Sequence, residues 1–233
     1  MAKRPHQEAA PVEVLEKGEV AFLATPRVRP RNVLSIHDPP PHPREVQHLY
    51  LLLSPRGKSL YRRVRVGKNR LPEGARQRFW ACVDRVGSSI EDVAGDLSGF
   101  EYDTKTRGPR RQPPARALAE GTYALIRHGD HVHFTYSVHD PFAPTEVLRA
   151  LRIEPRASYV VAAFNPAAPP RLGAPDRRLD EDAPEWVLAK FGKNRFAPLD
   201  LDLFDAQGLE IVLMSGRHDA PAAATSRAAP KSP

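Results

Sequence analysis

The sequence predicts a β-rich α+β fold, a mainly antiparallel sheet or partly closed barrel carrying about three short helices. Three observations carry that expectation. Residues 131–138 alternate without a slip, His131, His133, Thr135 and Ser137 on one parity and Val132, Phe134, Tyr136 and Val138 on the other, which is the period of a half-buried strand. Short apolar runs recur along the chain between turn-forming segments. The 25 prolines remove backbone donors and favour strands and loops over long helices.

Taken in order, strands are expected at 19–25, 47–54, 60–66, 78–86, 100–104, 121–127, 131–138, 158–164 and 209–214. Residues 27–43, with consecutive prolines and scattered charge, read as a long loop. Three helices are signalled. Ser88-Ser-Ile-Glu91 has the form of a capping box ahead of an apolar stripe of Ile90, Val93, Ala94 and Leu97. Residues 145–152 carry Val147, Leu148 and Leu151 on one side, and Asp182-Ala-Pro-Glu185 opens a short helix with Val187 and Phe191 that Gly192 stops. Tails are expected at 1–11 and 216–233, leaving 12–215 as a single domain.

The chain has 233 residues and a formal charge of +7, unevenly spread. Residues 56–70 and 105–116 are rich in Lys and Arg and contain no acid. If those segments share a face, their field attracts a polyanion such as nucleic acid. The single cysteine, Cys82, excludes an intrachain disulfide and a thiolate zinc site. Its apolar neighbours Phe79, Trp80 and Val83 predict an inert buried thiol. With no apolar N-terminal run and no stretch long enough to span a bilayer, a cytoplasmic protein without membrane association is expected.

Two groups of residues are candidates for function. Gly129-Asp130 forms a two-residue turn that sets His128 opposite His131 and Ile126 opposite His133. His128, His131 and His133 are then candidate ligands of a divalent transition metal, and His131 and His133 candidate proton carriers. The second group is cationic. Tyr61, Arg63 and Arg65 share one face of a strand, an arrangement able to stack a base while neutralising phosphate. Residues 105–116 read as a loop that neither pairs in a sheet nor forms a helix, with Arg107, Arg110 and Arg111 as anion ligands. That loop leads into the histidine hairpin, so both are expected to border one cleft. Gly57-Lys58-Ser59 ends like a phosphate loop, but Leu52 stands where the first glycine is required.

Several stretches carry a resemblance: Val14-Leu-Glu-Lys-Gly-Glu-Val20, the basic text from Lys105 through Arg107, Gly121-Thr-Tyr-Ala-Leu-Ile-Arg-His-Gly-Asp-His-Val-His133, and Ala157-Ser-Tyr-Val-Val-Ala-Ala-Phe-Asn-Pro166. Over most of 12–214 the chain resembles an uncharacterised conserved bacterial protein family with no assigned activity, which supplies no catalytic residues to carry over. Lys17-Gly-Glu-Val-Ala-Phe22 followed by Phe79-Trp-Ala-Cys-Val-Asp-Arg-Val86 is also similar in pattern to small β-barrel base-reading domains. The leading functional expectation is a binding module for an anionic partner, nucleic acid or a phosphorylated ligand, through the arginine-rich segments. The alternative is a metal-dependent or histidine-based enzyme on the hairpin.

Overall fold

The computed structural model describes residues 12–30, 43–74, 77–169, 179 and 183–215. The two expected tails, most of the 27–43 loop and the expected helix cap Asp182 lie outside the described residues. The strands in chain order are β1 (Val12–Pro26), β2 (Arg29–Pro30), β3 (Val46–Pro55), β4 (Tyr61–Val66), β5 (Arg78–Gly87) and β6 (Phe100–Thr104). They continue with β7 (Gly108–Gln112), β8 (Arg116–His128), β9 (His131–Pro141), β10 (Arg156–Phe164), β11 (Phe196–Pro198) and β12 (Glu210–Ser215).

Eight of these close into an antiparallel barrel in the order β10-β12-β5-β4-β3-β1-β8-β9, and pairing of β9 with β10 joins the two edges. Closure requires strongly twisted strands, and bulges increase local twist. The register shifts on β1 at Val14/Glu16 and Phe22/Leu23, between β4 and β5 at Arg63/Val64, and between β8 and β9 at Glu120/Gly121. Gly121 fits the last of these because any Cβ there would lie 2.0 Å from the Ser137 carbonyl oxygen.

Side chains fill the barrel. Phe22 meets Tyr136 edge-on at 5.0 Å between ring centroids, Tyr136 stacks on Tyr159 at 6.3 Å, and Tyr123 stacks on Phe134 at 5.7 Å. Between Leu53, Val64, Leu125, Phe134 and Leu213 there remains a void of about 10 Å³, room for a water at most. Among the described residues the lumen is packed core.

Among the described residues there are four short α-helices, one more than the sequence predicts. The helix α1 (Ile90–Ala94) packs outside the wall with Val93 buried and Ile90 exposed. Its capping box is Ser89 with Asp92, one residue later than expected: Asp92 accepts from the Ser88 and Ser89 amides at 3.0 and 2.9 Å, and Ser89 Oγ accepts from the Asp92 amide. The helix α2 (Thr145–Leu151) buries Val147, Leu148 and Leu151 against the core at the end where β3 begins. Val187 and Phe191 of α3 (Glu185–Phe191) join the same core, and Gly192 ends that helix as expected. The unexpected one, α4 (Leu201–Phe204), is a single turn capped by Asp200, too short to leave a periodic signature. Cys82 is buried in β5. No helix among the described residues is long and apolar enough to cross a membrane.

Candidate functional site

The histidine hairpin forms in the expected register. Gly129 takes φ 61° in the turn, His128 faces His131, and Ile126 faces His133. The rings nevertheless do not converge. His128 and His133 lie 6.3 Å apart between centroids, whereas His131 Nε2 approaches Asp130 Oδ1 at 3.4 Å and the Nδ1 of His133 lies 3.4 Å from Ser158 Oγ on β10. His128 and His133 thus stand near one another, while His131 turns to Asp130. Among the described residues no group of three or more His, Cys, Asp or Glu side chains can hold a metal ion. Burial pushes the His133 imidazole below its ordinary value, and the charges of His128 and His131 push it the same way.

The cationic face of β4 is organised by pairing. Arg63 points outward but is 2% exposed. Its Nε donates to Asp84 at 2.7 Å, its two terminal nitrogens engage Asp96, and its guanidinium lies 5.1 Å from the Tyr50 ring centroid. Burial disfavours its charge, but the Asp96 and Asp84 carboxylates outweigh that and hold it firmly protonated. Asp96 follows α1, so that short helix and its 3₁₀ continuation seal Arg63 against the wall. Arg65 and Tyr61, half-buried on the same face, do not form with Arg63 the open stacking surface the sequence suggests.

Its neighbour Arg62 points into the barrel and is 0% exposed. It forms a two-pronged pair with Glu16 at 2.6 and 3.1 Å, a bond to Asp205, and a cation–π contact with Phe204 at 4.9 Å. Tyr123 donates to the same Glu16 oxygen that Arg62 Nη1 reaches, at 2.7 Å. Burial alone would raise the Glu16 carboxyl, but the hydrogen bonds from Arg62 and Tyr123 hold it below its usual range. The sequence carried a signal here: Arg62 is the one charged residue on the parity of Val64 and Val66. A charge on a strand's apolar face requires a buried counter-charge.

The segment expected as a loop is instead half of a hairpin. Residues Gly108–Gln112 are β7, paired with β6 on one side and β2 on the other. The three prolines of the segment do not prevent this, because Pro109 is only the second residue of β7 and Pro113 and Pro114 follow its end. Thr104 closes the turn, its Oγ1 donating to the Gly108 carbonyl and accepting from the Arg107 amide at 2.9 Å each. The register sets Tyr102 opposite Arg110 and Phe100 opposite Gln112 on one face, with Glu101 opposite Arg111 and Arg29 on the other. Phe100 and Tyr102 are 57% and 39% exposed, their ring centroids 5.6 Å apart. No ion pair among the described residues engages Arg107, Arg110 or Arg111. The sequence reading missed the two aromatics. Their alternation, Phe-Glu-Tyr-Asp-Thr, was visible, but only the β7 partner reveals that they stand beside a free arginine.

Hairpin and basic sheet do not border one cleft. Between them runs β8, 13 residues long, which at ~3.3 Å per residue carries the chain ~40 Å from the arginines at its start to the histidines at its end. A full-length barrel strand separates what the sequence places side by side.

A cleft of about 540 Å³ does open beside the histidine turn, on the outer face of β5, β12, β10 and β11. It arises because β9 and β11 share one edge of β10: β9 pairs with Arg156 to Val161, then β11 takes over from Ala162 to Phe164. Where the partner changes, the two strands part. Trp80, Val160, Val212, Met214 and Phe196 line the floor, and Arg78, Asp130 and His131 stand at its margins.

Comparison with known proteins assigns no family: no family model, curated protein or solved structure matches the chain.

Proposed function

We propose that the protein binds single-stranded nucleic acid on the β6–β7–β2 sheet. One observation carries this reading: two exposed aromatic rings stand side by side on β6, and the cross-strand partner of one of them is Arg110, which no ion pair among the described residues engages. Large apolar side chains exposed together mark interaction surfaces. Bases stack on such rings with little regard to sequence, and an adjacent guanidinium meets the phosphate. Lys105 and Arg107 in the turn extend the positive edge. The histidine hairpin supports the enzymatic alternative less well, since among the described residues no group of three or more His, Cys, Asp or Glu side chains can hold a metal ion and His131 turns to Asp130.

The test is fluorescence anisotropy with a labelled oligothymidine of about ten nucleotides. Neutralising about three phosphates gives a slope of log affinity against log salt near −2. Phe100→Ala and Tyr102→Ala each weaken binding by about 1–3 kcal/mol, and Arg110→Ala weakens it and flattens the salt slope. All three positions are at least partly exposed, so the variants keep the fold. Binding that survives the Phe100→Ala/Tyr102→Ala double variant unchanged, or no binding at low salt, overturns the reading.

A further inference from the structure

The structure assigns a second, separate binding site to the cleft over Trp80: we infer that it takes a small amphipathic anion, a flat apolar or aromatic body ending in one acidic group. The volume of about 540 Å³ falls within the range of small-molecule sites, which combine apolar walls with a few convergent polar groups. The floor is apolar and rigid, because each wall residue sits on a paired strand. Trp80 is itself fixed, edge-on to Phe164 at 5.1 Å and nearly parallel to Phe196, 20° between planes at 6.3 Å.

The chemistry at the margins is asymmetric. The ladder pairs Arg78 with Met214, Met214 with Val160, and Val160 with His133, one continuous row across four strands. Arg78 therefore stands three strand spacings, ~14 Å, from the β9 side of the cleft, where Asp130 and His131 lie. Among the described residues no ion pair engages Arg78, whereas His131 already has Asp130 beside it. Among the described residues lining the cleft, Arg78 is thus the one unneutralised Lys or Arg, and it stands at one end of an aromatic floor. An acidic group against Arg78 leaves the ligand body over Trp80 and Phe196, with His131 available to hydrogen-bond its far end. A neutral ligand gains the floor but not the guanidinium. A nucleic acid strand is disfavoured by Asp130 at the rim.

The probe is 1-anilinonaphthalene-8-sulfonate, read against N-phenyl-1-naphthylamine, which has the same rings without the charge. In a Trp186→Phe background Trp80 is the sole tryptophan, and energy transfer from it reports occupancy of this cleft. The expected result is saturable binding at one site per chain, with the neutral analogue at least ~10-fold weaker and Arg78→Ala lowering the sulfonate's affinity by a similar factor, as for a charge-assisted hydrogen bond. Ala162→Phe, which fills the half-buried floor from outside the core without adding a tryptophan, abolishes transfer while the urea midpoint stays in place. Equal affinity for the two probes, indifference to Arg78→Ala, or undiminished transfer in Ala162→Phe overturns the assignment. A dimer that dissociates as the probe binds gives the cleft to a second copy and overturns it too. None of these variants touches the β6–β7–β2 sheet, so oligothymidine binding is independent of the outcome.

Discussion

The dipeptide Arg-Arg occurs on two strands with opposite fates. On β4, Arg62 and Arg63 point to opposite sides of the barrel wall, and each meets two carboxylates: Glu16 and Asp205 inside, Asp84 and Asp96 outside. On β7, Arg110 faces Tyr102 and Arg111 lies between Glu101 and Arg29, and among the described residues neither makes an ion pair. Residue type and secondary structure are the same. What differs is cover: Arg62 turns into the packed lumen and Arg63 lies beneath α1 and its 3₁₀ continuation, so both guanidiniums are buried and their charges must be met. The small sheet hangs outside the barrel, so its charges can wait for a partner. Basic sequence therefore reports on binding only after the fold has claimed the arginines it needs.

That contrast can be broken most sharply at Arg62. Removing it leaves Glu16 buried with Tyr123 and the more distant Lys58 at 3.4 Å. Arg62→Met is expected to cost about 3–5 kcal/mol, read as a lower urea midpoint with unchanged slope. Adding Glu16→Gln should recover a substantial part, since an amide needs no counter-charge. If the double variant is as unstable as the sum of the singles, the pair is not a coupled unit.

Arg63→Ala should cost less, about 2–3 kcal/mol, because Asp96 is half-exposed and can return to water while Asp84 cannot. Asp96→Asn should cost less again. Equal losses from the two variants would place the energy in the α1 contact rather than in the buried carboxylate.

Much of this architecture was legible beforehand. Alternation in β9 and the Gly129-Asp130 turn gave the hairpin and its register residue by residue, because strand period and turn type are local properties. The apolar stripes of α2 and α3 gave both helices. What stayed hidden was non-local. Nothing near Arg62 in sequence names Glu16 or Asp205, 46 and 143 residues away. Nothing in Lys105-Thr-Arg-Gly-Pro-Arg-Arg announces a strand until Phe100–Thr104 lies beside it, because short ladders override weak intrinsic preference. The cleft depends on two strands sharing one edge of β10, a fact of topology that no residue pattern encodes.

A pH-dependent effect sharpens the comparison further, since two partly buried imidazoles, His48 on β3 and His133 on β9, lie on barrel strands. Burial and the nearby Arg65 charge lower the His48 imidazole from its ordinary 6.5, against a weaker opposing pull from Asp84. The unfolded chain then binds a proton more readily than the folded one. Stability is complete above about pH 6.5 and falls as pH drops from there through the depressed folded value. His133 adds in the same direction. Urea midpoints stepped from about pH 8 to about pH 5 should decline, and His48→Gln should flatten part of that decline. A midpoint that instead rises as the solution is acidified would reverse the sign assigned to both imidazoles.

The smallest effects are expected where the arginines are free. Arg110→Ala and Arg111→Ala should each leave the urea midpoint within about 0.5 kcal/mol of the parent, an order of magnitude below Arg62→Met, because neither side chain completes a buried pair. The two should part company in binding. Arg110 shares its face with Tyr102 and Phe100, so its loss weakens oligothymidine capture where Arg111→Ala, on the Glu101 side, barely changes it. Equal loss from both would mean that the sheet contributes only diffuse charge, which position on the strand does not modulate. A stability cost at Arg110 comparable with that at Arg63 would mean that the fold had claimed this arginine as well.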